Sequence, residues 1–235
     1  MDWHSFWDVY PNRFGDGNLL RQVGKTVKGV PISESQLQSL VQDVIGKLDL
    51  QKDDFLLDLC CGNGLLTKEL AARCGGAVGV DFSKPMLESA NEVNSGSNIE
   101  YLLMDARNIE SLTTRFGGRF TKVMMYEALA YFDEDDVANL LRSLKPLMSD
   151  DARILFASVL DSDLKWRFFN TWGRRWNYLV NIRMRGRDPG IGKWWVRRDL
   201  ARICEKAGFD AQFIPQDAAL HTSHYRVDVV GTLVA

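Results

Sequence analysis

Asp58, Gly62, Gly64, Asp81 and Asp105 are the residues of this chain whose types and order could do chemistry. Asp58 stands in an apolar run, Phe55, Leu56, Leu57 and Leu59. The run leads without a spacer into Cys60-Cys61-Gly62-Asn63-Gly64, and Leu65 then opens a helical pattern. Glycines at a strand-to-helix turn let the backbone come close to a ligand, and the free N–H groups of the helix start face it. Seventeen residues beyond Gly64, a second apolar run, Ala77 to Val80, ends in Asp81. An acid at the tip of a second strand is well placed to accept hydrogen bonds from ribose hydroxyls. Together the two features imply a site for an adenosine-containing cofactor.

A dinucleotide fingerprint requires a third glycine, and Thr67 occupies that position. The acid inside the strand end, the hydrophobic residues before it and the single Gly-Asn-Gly resemble motif I of the class I S-adenosylmethionine-dependent methyltransferases. Cys60 stands where that pattern usually has glycine, and cysteine is small enough for the turn. The series Asp58, Gly62, Gly64, Asp81, Asp105 follows in the family's order and at similar spacing. The resemblance covers roughly residues 35–234. It implies an α/β fold, a doubly wound, seven-stranded, mostly parallel Rossmann-like sheet with an antiparallel last strand, and S-adenosyl-L-methionine as cofactor. It also implies that the turn Cys60–Gly64, Asn63 included, wraps the methionine part of the cofactor, with Asp58 beneath its amino group. Asp81 would hold the ribose, with Phe82 and Met86 against the adenine. Asp105 would take the adenine amino group, with Ala106 donating a backbone N–H. Taken singly, Asp81 and Asp105 could equally be helix caps or turn acids, and Phe82 and Met86 plain core.

The end of the fourth strand, Met124 to Leu129, is where this family places residues beside the transferable methyl. An Asn/Asp-Pro-Pro-Tyr motif, typical of amine-directed members, is absent here, which counts against adenine N-methylation. Tyr126 could face the sulfonium by cation–π attraction. Glu127 could hold an acceptor or a cofactor amine, although a solvated turn acid is the plainer reading. Of the three histidines, His221 and His224 flank the turn before the last strand. Histidine titrates near neutrality and is the usual general base. His224 is therefore the preferred catalytic base, with Glu127 beside it, and His221, Tyr225 and Trp194 are expected around the acceptor. A loop histidine is more often a surface residue.

These residues must be positioned by alternating strands and helices. Apolar runs mark strands at 55–60, 77–81, 99–104, about 120–125, 152–159, about 209–214 and 225–234. Helical spacing of Leu37, Leu40, Val41, Val44, Ile45 and Leu48 follows a capping box at Ser33 and Gln36. Further helices are expected at about 65–74 and 83–94, from Asp133–Asp136 through Leu147, and at Asp199–Ala207. The acids at 133–136 read as helix-dipole stabilisers rather than metal ligands. Strands separated by helices imply a parallel sheet, and the short final connection implies an antiparallel closing pair.

A chain of 235 residues can bury one core, and a single domain over 1–235 is expected. Residues 1–30, aromatic and glycine-rich, read as an irregular cap over the body. Lys25 in that cap could meet the cofactor carboxylate, or be an ordinary solvated lysine. Residues 161–196 form an insertion carrying Trp166, Phe168, Phe169, Trp172, Trp176, Tyr178, Trp194 and Trp195. Within 161–200 there are ten Lys and Arg against four Asp and Glu. The insertion reads as a helical excursion, a lid for an anionic acceptor, or both. A net charge of −2 argues against nucleic acid as the main partner. No run approaches the length of a membrane helix, so no membrane partner is expected. The four cysteines form neither a disulfide framework nor a zinc pattern; reduced thiols and a cytosolic setting are expected, with no metal. The combined expectation is a methyltransferase acting on a small molecule, most simply at oxygen, in a biosynthetic route such as that of a polysaccharide or natural product. Transfer to nitrogen, to carbon or to RNA through the basic insertion, and a non-catalytic cofactor-binding regulator, remain alternatives. The acceptor and the oligomeric state are not legible.

Overall fold

The computed structural model describes residues 3–14, 18–185 and 191–234. Positions 15 and 17 of the cap and 186–190 of the insertion lie outside the described residues. Seven strands form the main sheet: β1 Phe55–Leu59, β2 Gly76–Asp81, β3 Ile99–Leu103, β4 Phe120–Tyr126, β5 Met148–Leu160, β6 Phe209–Pro215 and β7 Arg226–Leu233. Their order is β3-β2-β1-β4-β5-β7-β6. The first five are parallel, and β7 runs antiparallel between β5 and β6. This is the doubly wound sheet with an antiparallel last strand that the sequence implies.

The main helices are α1 Trp3–Val9, α2 Glu34–Leu48, α3 Leu65–Ala71, α4 Lys84–Val93, α5 Glu134–Leu144, α6 Trp172–Arg185 and α7 Arg197–Lys206. Both expected N-terminal signals are built. Ser33 and Gln36 exchange side-chain and backbone hydrogen bonds ahead of α2, and Asp133 and Asp136 do the same ahead of α5. The acids at 133–136 thus serve the helix start.

Alternation along β1 supplies both halves of the core, as expected for a strand covered on both faces. Leu57 and Leu59 pack with Val137, Leu140, Leu141 and Leu144 of α5 and with Leu200 and Cys204 of α7. Leu56 faces the other way, into Leu37, Leu40, Val41, Val44 and Leu48 of α2 and Leu66 and Leu70 of α3. Asp58 shares the Leu56 face by the same alternation. The chain leaves the centre of the sheet in opposite directions from β1 and β4, which are direct neighbours. At such a switch point the strand ends open a crevice for a ligand.

The cap differs from its expected irregularity. Trp3, Phe6, Trp7 and Tyr10 recur at helical spacing, and Trp3–Val9 is a helix. A short helix Leu19–Gln22 and a tight hairpin, Thr26–Val27 with Val30–Pro31, then lead into α2.

Candidate active site

A cavity of about 290 Å³ lies at the carboxyl ends of β1, β2 and β4. One end is walled by Asp58, Cys60, Cys61, Gly62, Asn63, Asp81, Phe82, Met86 and Asp105, and the other by Lys25, Tyr126, Glu127, Tyr131, Ile191 and Arg226. Trp3, His4 and Trp7 of α1 form its cover.

The first end is acidic and built by β1, β2 and the turn after β1. Asp58 is buried and accepts a hydrogen bond from Thr67 Oγ1 at 2.6 Å. Burial pushes its carboxyl up to about 7, against the lowering effect of the Thr67 bond. Asp81 accepts from the backbone N–H of Gly62 at 2.8 Å and from that of Ser83 at 2.8 Å, so it ties the turn to the end of β2. Its two oxygens keep further lone pairs for a ligand. Burial raises this carboxyl too. Asp105 accepts from the backbone N–H of Arg107 at 2.9 Å, and His4 Nε2 lies 3.3 Å from its other oxygen. The His4 ring also packs on Phe82, with centroids 4.2 Å apart.

Asn63 explains how the turn is held. Its side-chain N–H groups donate to Leu19 O at 3.0 Å and to Gln22 Oε1 at 2.8 Å, and its backbone carbonyl accepts from Asn94 at 2.8 Å. The cap is thereby bonded to the turn itself. Cys60 has φ 58°, the left-handed region where a glycine is usual. Gly64 has φ 73° and opens α3, and a Cβ there would sit 2.2 Å from the Tyr101 hydroxyl.

The second end is a charge cluster. Lys25 is buried, pairs with Glu127 Oε2 at 2.5 Å, and lies 3.8 Å from the centroid of the Tyr126 ring. The solvated lysine weighed from the sequence is thus not what the fold builds. Ser158 Oγ donates to the other oxygen of Glu127 at 3.2 Å. Burial alone would raise Glu127; the charges of Lys25 and Arg226, with hydrogen bonds from Lys25 and Ser158, overcome it and hold the carboxyl at about 2. Arg226 donates to Ser158 O at 2.5 Å, while its Nε is buried without a hydrogen-bond partner. Burial lowers the Lys25 pKa against the raising effect of the Glu127 charge, so Arg226 is the cation this end keeps beside that pair.

The structure therefore brings together Asp58, Cys60, Gly62, Asn63, Asp81, Phe82, Met86, Asp105, Tyr126 and Glu127 around one cavity. Gly64 and Ala106 do not line it; Ala106 is packed into the core. His224 is exposed, with its ring 4.8 Å from that of Tyr225, and does not line the cavity. Tyr225 and Trp194 are also outside it, in an aromatic cluster with Phe168 behind the Ile191 wall. They are displaced because Tyr225 turns its ring inward onto Ala130 and Leu160, which leaves Arg226, the next residue, facing the cavity. His221 is half-buried, and burial lowers its pKa; it also feels the charges of Glu127, Lys25 and Arg226. Nothing in the sequence assigns a role to Arg226, Tyr131, Arg107 or His4, whereas Trp3 and Trp7 belong to the aromatic cap expected over the body. The helical spacing of the α1 aromatics was an available signal; nothing local marks Arg226.

Residues 56–151 match a family model described as a methyltransferase domain. An uncharacterized methyltransferase of Schizosaccharomyces pombe is 37% identical over 79 residues, 33% of this chain and 30% of that protein. A ubiquinone biosynthesis O-methyltransferase of Aromatoleum aromaticum is 26% identical over 157 residues, 66% of this chain and 63% of the relative. The chain thus spans from under a third to under two thirds of the length of these relatives. A solved S-adenosylmethionine-dependent methyltransferase from Anabaena variabilis superposes with a TM-score of 0.66 at 20% identity, covering 99% of this chain and 96% of the other. The shared sheet order and this superposition show the class I methyltransferase fold.

Proposed function

We propose, for a chain whose residues 56–151 form a class I domain of the S-adenosylmethionine-dependent methyltransferase kind, that it transfers a methyl group to an oxygen of a small, anionic acceptor. The observation that carries this reading is one cavity with Asp58, Asp81 and Asp105 at one end and Arg226 beside the Lys25–Glu127 pair at the other. When bound, S-adenosylmethionine supplies a methyl group already activated on a sulfonium. The acidic end suits it: Asp58 can pair with an ammonium, Asp81 has lone pairs for ribose hydroxyls, and Phe82 and Met86 offer an apolar bed for a base. Lys25, which lines the cavity, would meet a carboxylate. The turn Cys60–Asn63 offers backbone close to the ligand.

On the acceptor side, Arg226, which lines the cavity, would draw an anionic group by its charge, and α1 with Tyr131 would exclude water. Glu127, ionised and bonded to Lys25, is a weak base, so its role is to hold Lys25 and to balance Arg226. With His224 at the surface, an acceptor hydroxyl acidic enough to react by alignment alone, such as a phenol or enol, fits best. The similarity to a protein named for O-methylation supports oxygen as the acceptor atom.

Calorimetry should show binding of S-adenosylmethionine and its demethylated product and no binding of NAD. A panel of phenolic and carboxylated acceptors should then yield the demethylated product, and Arg226→Gln should raise the acceptor KM about tenfold or more without changing cofactor affinity. Absence of cofactor binding would sink the reading. Tight binding with no turnover across a broad panel would favour a regulator.

A further inference from the structure

The insertion places an unpartnered apolar face on α6. Trp172, Trp176 and Leu179 are four and three residues apart and so lie on one side of the helix. Trp172 is 87% exposed, Trp176 70% and Leu179 42%. Ile182 and Met184 are exposed as well, and Trp166 adds a neighbouring indole at 40% exposure. The helix is held along one flank of this face. The Tyr178 ring packs 4.3 Å from that of Phe169, and Arg175 donates to Phe169 O at 2.8 Å and to Trp166 O at 3.3 Å. Three large hydrophobics presented together to water by a well-anchored helix exceed the scattered exposure ordinary for a protein surface.

The charge of the same helix says what could cover them. Residues 172–185 hold four arginines and no acid, in a chain whose net charge is −2. A second copy would set like charge against like. Single-stranded nucleic acid could stack on the two tryptophans, but Leu179, Ile182 and Met184 would then have nothing to stack on. An anionic bilayer meets every feature at once. Its acyl boundary takes aliphatic side chains, its interface takes indoles, and its phosphates take arginine. We propose that α6 is an interfacial helix that docks this chain on anionic membrane surfaces. Among the described residues no helix is long and apolar enough to cross a membrane. The expectation of no membrane partner rested on spanning segments, and a helix lying along the surface is a separate case.

This inference is independent of the chemistry proposed above, because its test involves no methyl transfer. The full chain is mixed with phosphatidylglycerol–phosphatidylcholine vesicles and with pure phosphatidylcholine vesicles, and bound protein is measured by flotation. Binding should be confined to the anionic vesicles, weaken with added salt, and move tryptophan emission to shorter wavelength. The double variant Trp172→Ser, Trp176→Ser should partition about tenfold or more weakly, from the apolar area it no longer inserts. Both side chains are exposed, so its unfolding curve should match that of the parent. Failure of the parent to bind anionic vesicles overturns the proposal, as does equal binding by the variant. Oligouridine binding by the parent, lost in the variant while vesicles stay unbound, also overturns it and assigns the face to nucleic acid.

Discussion

Asp58 sits where two demands conflict: β1 buries its side chain in the centre of the sheet, while the cavity it lines suits a cationic ligand. Burial wins in the free protein and lifts the carboxyl to about 7. Since this value lies above that of the unfolded chain, the folded state holds the proton longer, and this group's contribution to stability falls as pH rises through the interval between the two. An ammonium beside Asp58 favours the ionised form and reverses the shift. Cofactor binding near pH 6 should therefore release a proton, and affinity should rise with pH by up to about tenfold per unit before levelling off above about 7. Calorimetry in buffers of different ionisation enthalpy measures that proton directly. Asp58→Asn should abolish both the release and the pH slope, and a parent without either would remove Asp58 from the ammonium's surroundings.

Backbone strain gathers where the elements end. Cys60 after β1, Glu127 after β4 and Ser158 within β5 have φ of 58°, 59° and 61°, a region costly for residues with a Cβ. Ser158 lies between Phe156 and Val159, where the pairing of β5 with β7 changes register. Such a bulge re-aims backbone groups: the Ser158 carbonyl meets Arg226 and its N–H meets Asp228 at 2.5 Å. Asp228 is in turn clamped by Lys47 of α2 at 2.5 Å, and Lys47 also bonds Asp43 at 2.6 Å. Lys47→Met should cost about 3 kcal/mol or more in denaturant unfolding, because it leaves a buried carboxylate unpaired. Adding Asp228→Asn should recover much of that, and a loss under about 1 kcal/mol would mean that the clamp does little. These details explain what was legible in advance. The turn after β1 and the caps of α2 and α5 are local devices, written in residues within a few positions of each other. The charge cluster is not: Lys25 and Glu127 are 102 positions apart, and the bulge at Ser158 carries neither glycine nor proline to announce it. His224 drew notice as a residue type, but only the inward turn of Tyr225 decides that Arg226 faces the cavity.

For the molecule as a whole, the cavity is closed by a piece of chain that is not part of the sheet. Helix α1 has no buried residue of its own, and it rests on ring contacts, Trp3 with Tyr131 at 4.4 Å and His4 with Phe82 at 4.2 Å. A hydrogen bond from Ser83 Oγ to Trp7 O at 3.1 Å ties it to the end of β2, and His4 Nε2 lies 3.3 Å from Asp105. Beyond α1 the chain is fastened more firmly, through Gln22 to Asn63 and Ser89 and through Lys25 to Glu127. A segment with few buried contacts opens at little cost while the core stays folded. Opening α1 alone uncovers Phe82, Asp105 and the acidic end, so a cofactor can enter there without disturbing the Lys25 cluster. A ligand that bridges Asp81, Phe82 and the underside of α1 must stabilise the closed form by its own binding energy. Hydrogen exchange read by mass spectrometry should therefore show peptides over residues 3–14 exchanging far faster than those over β1 and β4. Saturating S-adenosylmethionine should slow them about tenfold or more. Protection limited to the turn after β1, with α1 exchanging at the same rate in both states, would mean that the cofactor enters by another route and that α1 is a fixed wall.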